Sequence, residues 1–142
     1  MNAADLSECA DCLCLASRRA ARMLTRAYDR ELRRYDIRAT QFTVLVMLLL
    51  RGPTAIGELA DALGMERTTL TRNLGVLEGR GWIELRPGEA DARVRIAKVT
   101  RSGSRRVEEA FPAWRTAQAK AAASVGAPAI RAMQALSRHN PR

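Results

Sequence analysis

Apolar residues in the first third of the chain recur every three or four positions, the spacing that gives an α-helix one buried face. This stripe runs from Leu13 to about Tyr35. Arginines occupy other positions of the same helix: Arg18, Arg19, Arg22, Arg26, Arg30 and Arg33. The next segment, QFTVLVMLLL, is apolar on nearly every side and predicts the buried centre of the domain. Thr40 is its predicted cap and Gly52-Pro53 its predicted end.

Two shorter helical patterns follow, and Gly64 separates them. The first, AIGELADALG, directs four apolar side chains inward: Ile56, Leu59, Ala60 and Leu63. The second, GMERTTLTRNLGVLEGRGW, places Leu70, Leu74 and Leu77 on one side. Its other positions carry Thr68, Thr69, Thr71, Arg72 and Asn73. Threonine is a poor helix former, so three of them on one face indicate that this face has a function. The two helices and the glycine between them predict a helix-turn-helix.

A β-hairpin is predicted after this second helix. WIELR is typical of a strand, PGEADA of a turn, and RVRIAKV of a returning strand with Arg93 and Arg95 on one face. The apolar alternation slips at Ile96-Ala97, which predicts either a bulge or a strand covered on both sides. A helix-turn-helix followed by a hairpin with a basic turn is a winged helix.

The remainder of the chain is predicted to be helical. A long helix runs from Ser102 to about Val125, and Pro112 is expected to kink it. GAP at 126–128 breaks it, and a short helix, AIRAMQALS, follows. The predicted fold class is therefore mainly α with a small β-wing.

The charge balance of the chain favours a polyanionic partner. The 142 residues fit one domain, and the formal net charge is +9 with a pI near 10.9. An anionic membrane is the weaker alternative to nucleic acid, because the longest apolar run, Val44 to Leu50, is too short to cross a bilayer. The start of the chain, MNAADLSECAD, has no apolar signal core, so a cytoplasmic location is expected.

The helix-turn-helix and wing together resemble the MarR family of bacterial transcription regulators. IGELADALGMERTTLTRNLGVLEGRGWI and DARVRIAKVTRSG carry the resemblance, the latter with Asp91, Arg93, Thr100 and Gly103 in the family's order. It implies a domain at 9–140, with a winged-helix core at about 38–101, a helix-turn-helix at about 56–79 and a wing at about 82–99. It also implies dimerisation helices at about 9–35 and 102–138, and hence a homodimer. Four side chains are predicted to form the interface between the two subunits, called the seam: Leu13, Phe111, Trp114 and Met133.

The same resemblance implies binding to pseudo-palindromic double-stranded DNA. The leucines would anchor the recognition helix, and its polar face would enter the major groove, where Arg72 can contact guanine. Arg93 would lie in the minor groove, and Asp91 would orient a wing arginine rather than meet DNA. The complete predicted DNA-binding set is Arg67, Thr68, Thr69, Thr71, Arg72, Arg86, Arg93 and Arg95.

Three cysteines near the start, Cys9, Cys12 and Cys14, are too few and too close together for a disulfide framework. Cys14 stands at the register of the reactive cysteine in the family's peroxide-sensing branch, and Tyr28 matches a tyrosine that holds the thiolate there. Ala39 and Arg18 replace other expected tyrosines, although Arg18 or Arg19 can lower a thiol pKa. Two other interpretations remain open: a small buried residue, and a thiolate metal site that lacks a fourth ligand.

The predicted function is thus a dimeric transcriptional regulator, of the repressor type, that a small apolar or phenolic ligand or a thiol oxidant releases from DNA. One alternative is a winged helix that binds nucleic acid without sequence preference or contacts protein. A thiol enzyme based on Cys14 is the remote alternative, because no positioned histidine or acid accompanies it. We expect no enzyme activity, no cofactor and no metal.

Overall fold

The computed structural model describes residues 6–138, apart from the side chain of Glu8, so the end of the predicted domain at 139–140 lies outside it. A short 3-10 helix at Ser7–Asp11 precedes the first long helix. The α-helices are α1 (Leu13–Leu32), α2 (Ala39–Arg51), α3 (Ile56–Leu63), α4 (Arg67–Gly79) and α5 (Arg101–Arg138). The strands are β1 (Thr54–Ala55), β2 (Ile83–Pro87) and β3 (Arg95–Val99). A helical protein with one small antiparallel sheet confirms the predicted fold class.

The sheet has three strands in the order β1-β3-β2, one more than the sequence predicts. The pairing of β2 with β3 runs unbroken from Ile83 opposite Val99 to Pro87 opposite Arg95, so no bulge interrupts it. The alternation of apolar and polar residues is irregular at Ile96-Ala97 because β3 is the central strand of the sheet. Ala97 pairs with Thr54 on one side and Leu85 on the other, and it is fully buried.

The predicted start of the returning strand is wrong by two residues. Arg93 precedes β3 and belongs to the wing turn. The backbone N–H of Val94 donates to the carbonyl of Asp91 at 3.0 Å, and Gly88 N–H donates to the carbonyl of Val94 at 2.7 Å. The Gly88–Val94 hydrogen bond continues the register of β2 and β3, but the Val94 N–H is used within the turn, so regular strand pairing ends at Arg95.

The core forms around α2, as its apolar run predicts. Phe42, Val44, Leu45 and Leu48 are buried there. From α4, Leu70, Leu74 and Leu77 have no exposed surface, so one side of this helix is fixed to the core and the other faces solvent. Burial of each leucine is worth about 1.5–3 kcal/mol, which holds α4 firmly in one rotation about its axis.

The cap predicted for α2 is wrong. Thr40 is exposed inside the first turn, and the helix begins at Ala39 after an extended Arg38. The side chain of Gln41 accepts the Arg38 N–H at 2.9 Å, and the Asp29 carboxylate of α1 accepts the Ala39 N–H at 2.7 Å. A carboxylate from a neighbouring helix therefore accepts a free N–H group at the N-terminal end of α2. A cap of this kind, from a distant part of the chain, has no local sequence pattern.

Helix α5 lies along α1 and carries the predicted C-terminal break. Its backbone leaves helical geometry at Gly126 (φ 77°, ψ 160°), whereas Pro112 keeps helical dihedral angles. Lys120 pairs with Glu31 of α1 at 2.6 Å, and this contact holds the pKa of Glu31 below its usual range.

No helix between residues 6 and 138 has the length and apolar content needed to cross a membrane.

The four side chains of the predicted seam have different environments. Trp114 stacks on Phe42 of α2, with ring centroids 6.2 Å apart, and so belongs partly to the core of its own chain. Phe111 stacks on Trp114 at 5.6 Å and remains 46% exposed. Leu13 is 85% exposed and Met133 is 37% exposed.

Trp82, Thr100 and Gly103 join the end of α4, the wing and the start of α5. Trp82 N–H donates to the carbonyl of Leu77, and Thr100 N–H donates to the carbonyl of Trp82, both at 3.0 Å. The Thr100 hydroxyl donates to the Gly81 carbonyl at 2.7 Å and accepts the Gly103 N–H at 3.1 Å, which caps α5. Gly103 is buried so close to Trp82 that a Cβ there would overlap the Trp82 carbonyl.

Replacing Gly103 by alanine is therefore expected to destabilise the protein. The added methyl group meets backbone atoms of Trp82 that cannot rotate away, so we expect a loss of about 1–3 kcal/mol in the free energy of unfolding. Urea denaturation followed by circular dichroism measures it. The matched control is Gly75→Ala, because nothing lies within 4 Å of a Cβ at that helical glycine. It should raise stability by up to about 1 kcal/mol, and equal effects of the two changes would contradict this packing.

Candidate nucleic-acid interface

The solvent face of α4 carries the residues that are predicted to enter the major groove of DNA. Thr68, Thr69 and Arg72 are exposed, opposite the buried leucines. The hydroxyl of Thr71 donates to the Arg67 carbonyl at 2.8 Å within the helix, so this hydroxyl is already engaged. Among the described residues, Arg72 has no carboxylate within ion-pair distance, and its guanidinium is available to an outside partner.

A cleft of about 290 Å³ brings the start of α4 and the wing together. Arg67 and Thr71 line it from α4, Gly57 from α3, and Arg93 and Arg95 from the wing. Gly57 leaves room for the Arg67 guanidinium, whose Nη2 lies 2.5 Å from where a Cβ would be. The pattern of the sequence did not single out Gly57, although a glycine inside a short helix is a signal of close approach. Three arginines from two separate elements thus form one basic surface.

The wing tip is organised by Asp91 and Arg93. The Asp91 carboxylate accepts hydrogen bonds from the Arg93 backbone N–H at 2.9 Å, from Nε at 3.1 Å and from Nη2 at 3.2 Å. The hydrogen bonds from the Arg93 side chain, and next those from its backbone, hold the pKa of Asp91 below its usual range. The Arg93 side chain is still 91% exposed, so Asp91 orients it without covering it.

The other basic residues of the wing differ in how far they are neutralised. Arg86 pairs with Glu84 at 2.7 Å, and Lys98 approaches the same carboxylate at 3.9 Å. Arg95 has no carboxylate within ion-pair distance in residues 6–138, and neither has Arg67. The positive potential of this surface therefore comes mainly from Arg67, Arg72 and Arg95, with Arg93 at the tip.

The three cysteines lie on the N-terminal segment and are all exposed. Cys9 lies in the 3-10 helix, Cys12 precedes α1, and Cys14 lies in its first turn. The interpretation of Cys14 as a small buried residue is therefore wrong within one chain. No three His, Cys, Asp or Glu side chains converge to hold a metal within the described part of the chain.

Tyr28 lies far from the cysteines of its own chain. Its hydroxyl donates to Gln118 of α5, and burial raises its pKa. Cys14 is 14 residues earlier on α1, which corresponds to about 21 Å along the helix axis. Tyr28 thus cannot hold the Cys14 thiolate within one chain. Arg18 is one turn from Cys14 and is exposed beside it on α1.

Comparison with known proteins places this architecture in a family. A family model described as "MarR family" matches residues 35–94. The chain is 30% identical over 90 residues to the uncharacterised regulator YwoH of Bacillus subtilis, a match covering 63% of this chain and 65% of YwoH. The matches span about half to two thirds of the length of the curated relatives.

Solved structures extend the likeness over most of the chain. The M. tuberculosis transcriptional regulator MosR is 38% identical with a TM-score of 0.77, covering 88% of this chain and 91% of MosR. The DNA complex of MosR matches at 35% identity and the same TM-score, covering 90% and 96%. Reduced AbfR bound to DNA is 26% identical with a TM-score of 0.69, covering 79% and 82%. The protein belongs to the MarR family, as the helix-turn-helix and wing motifs predict.

Proposed function

We propose that this protein is a DNA-binding transcriptional regulator. The observation that carries the proposal is the cleft in which Arg67 of α4 meets Arg93 and Arg95 of the wing. Phosphate contacts from such arginines supply most of the affinity of a protein for DNA, and a net charge of +9 attracts the duplex. The solved DNA complexes of MosR and AbfR support this assignment.

Sequence selectivity is assigned to α4. An exposed helix face of the size of α4 fits the major groove, where base pairs present distinct patterns of donors and acceptors. Arg72 can donate two hydrogen bonds to guanine, which is worth about 1–3 kcal/mol of discrimination. Thr68 and Thr69 are free to contact phosphates or a thymine methyl group, since both are exposed.

The wing is assigned to the minor groove and the phosphate backbone. Asp91 holds Arg93 at the tip, which reduces the conformational entropy that the arginine loses on binding. A narrow A·T-rich minor groove has an enhanced negative potential and attracts arginine. Arg95 points its charge at the same cleft and contributes affinity for any sequence.

The protein is proposed to act as a homodimer through α1 and α5. These helices leave large apolar side chains exposed: Leu13, Met23, Phe111, Met133 and Leu136. Large apolar side chains exposed on two packed helices, of which Met23 and Met133 line one cleft, are typical of a subunit interface. Two-fold symmetry would then present two α4 helices to half-sites about one helical turn apart.

The proposed function includes repression that a chemical signal relieves, and two signals have structural support. A small cleft between α1, α2 and α5, of about 280 Å³ and lined by Leu24, Tyr28 and Trp114, fits a small apolar or phenolic ligand. The second signal is oxidation of Cys14, which is exposed. AbfR, a protein of similar fold, has been solved on DNA in reduced and overoxidised forms, which supports redox chemistry in such a regulator.

Oxidation by a peroxide requires only the thiolate and the oxidant. The Cys14 sulfur attacks one peroxide oxygen, the O–O bond breaks, the peroxide leaves as an alcohol, and the cysteine becomes a sulfenic acid. A second cysteine then displaces water and forms a disulfide. Cys9 and Cys12 are the other two cysteines of the chain. They lie three residues apart where the 3-10 helix ends, and the Cys12 N–H donates to the Cys9 carbonyl at 3.3 Å, so both lie on the same side of that helix.

Removing the two kinds of arginine should have different effects on DNA binding. Arg72→Ala should weaken binding to the cognate site by about 1–3 kcal/mol and leave random duplex little changed. Arg93→Ala or Arg95→Ala should weaken every duplex and lower the salt slope by about one unit. Fluorescence anisotropy against cognate and scrambled duplexes at several salt concentrations measures both effects. Arg105→Ala, an exposed arginine on α5, is the control. Equal losses on both duplexes for Arg72→Ala would remove its base-reading role.

The dimer is tested by sedimentation. At micromolar concentration the protein should sediment as a dimer, because the apolar side chains on α1 and α5 favour burial. Leu13→Glu combined with Met133→Glu should shift the population to monomer, since each chain would bring two charges into the seam. Glu substitution at the exposed Leu50, on α2, is the control and should leave the dimer intact. A stable folded monomer of the unaltered protein would refute the dimer.

The redox route predicts a response that depends on one sulfur. Organic peroxide should lower the affinity for DNA, dithiothreitol should restore it, and Cys14→Ser should abolish the response while binding DNA normally when reduced. Gel-shift titrations of the unaltered protein, Cys14→Ser and the control Cys9→Ser/Cys12→Ser compare the contributions of the three thiols. If peroxide affects the unaltered protein and Cys14→Ser alike, or neither, the ligand cleft is the route that remains.

A further inference from the structure

A second basic cavity, separate from the cleft at the wing, lies where α1 ends and α2 begins. Its volume is about 540 Å³, and the residue that follows α4 closes one side. Five arginines line it: Arg26, Arg30, Arg33, Arg38 and Arg80. Two aspartates, Asp29 and Asp36, are its acidic residues, so the lining carries a formal charge of +3. Ile37 is its one apolar side chain.

Three of the cavity's arginines, at the end of α1, form no ion pair within the described part of the chain. Arg26 and Arg30 lie on α1, and Arg33 is the residue directly after its end, where the backbone is still helical. Their spacing of four and three residues places them in one row, called the row on α1. All three are exposed, and none has a carboxylate within ion-pair distance in the described part of the chain. Like charges one turn apart on a helix repel each other, by a few tenths of a kcal/mol per pair. Asp29 lies among them at helical spacing, and a further anion would offset the repulsion that one carboxylate leaves.

Both aspartates are already occupied by other contacts. Asp29 accepts the Ala39 N–H at 2.7 Å and lies 3.7 Å from Arg38, so its charge stabilises the start of α2. Asp36 accepts a hydrogen bond from Arg80 at 2.8 Å, and its backbone carbonyl accepts a second from the same side chain at 2.6 Å. Two carboxylates cannot balance five guanidinium groups, so the lining keeps its formal charge of +3.

We propose that this cavity, the arginine pocket, binds a small and multiply charged oxyanion, such as a metabolite with phosphate groups or several carboxylates. Planar guanidinium groups bind such oxygens in pairs. One carboxylate could satisfy only one or two of the arginines, whereas several charged oxygens can reach the row on α1 and Arg38 across the cavity. The single apolar wall, Ile37, disfavours an aromatic acid as the occupant.

The occupant would join two parts of the chain. The row on α1 belongs to the helical arm, which is the packed pair of helices α1 and α5. Arg80 follows the last residue of α4, and its guanidinium carbon lies 4.9 Å from the ring centre of Trp82. Asp36, which Arg80 contacts, has a left-handed backbone (φ 50°), an uncommon conformation that aspartate adopts more readily than most residues. A bound oxyanion would thus lie across the link between the arm and the end of α4. The binding claim itself does not depend on the proposed function.

The test is isothermal titration calorimetry of the full chain without DNA, at constant ionic strength, with pyrophosphate and citrate as probes. One site per chain is expected for at least one probe, and the stronger probe tells whether phosphates or carboxylates are preferred. Arg30→Gln/Arg33→Gln should weaken binding about tenfold or more, because it removes two pairs of charged hydrogen bonds. Arg18→Gln/Arg22→Gln removes the same charge from exposed positions of α1 outside the cavity and should change the affinity less than about twofold.

Two results would overturn the arginine pocket. One is the absence of heat at millimolar concentrations of both probes. The other is an equal loss of affinity in the two double variants, which would show that only the total charge matters. Thermal unfolding of each variant with and without the probe checks folding, and a probe-induced rise in melting temperature that Arg30→Gln/Arg33→Gln alone abolishes supports the site independently.

Discussion

The contact between Gly103 and the main chain of Trp82 is the constraint on which the rest of this structure depends. Helix α4 ends just before Trp82, the wing begins after it, and α5 begins at the same point in space. Because backbone approaches backbone there, a side chain at position 103 would separate all three elements. The Thr100 hydroxyl, bonded to both Gly81 and Gly103, fixes the same junction with hydrogen bonds. Helix α4, the wing and α5 therefore keep one relative position.

The leucines of α4 are buried in the core, and the arginines of α4 and the wing are exposed on the surface. This separation creates the basic surface. Leu70, Leu74 and Leu77 fix the rotation of α4, so its polar face is exposed by geometry and not by chance. The wing turn uses Asp91 to aim one arginine while others are left without partners. A protein that needed only stability would pair these charges, since unpaired like charges on one surface reduce stability. The uncompensated charge instead provides affinity for polyanions.

The sequence predicts the helices well because their signal is local periodicity. The leucine face of α4, the apolar α2 and the break at Gly126 follow from spacing, glycine and proline alone. Strand β1 is two residues long and has no periodicity, so it appears only through its pairing with β3. The cap of α2 comes from Asp29 on another helix, and the arginine pocket joins positions 26 to 80. Such features require the tertiary fold.

The most direct measurement of the central claim is footprinting of genomic DNA bound by the reduced protein, followed by hydroxyl-radical mapping of one recovered fragment. If α4 and the wing form one reading surface in a two-fold dimer, protection should fall on two inverted half-sites about one helical turn apart. Protected minor-groove positions should flank each half-site where the wing tips lie. Protection spread evenly along the DNA, with no shared sequence among the fragments, would contradict the account.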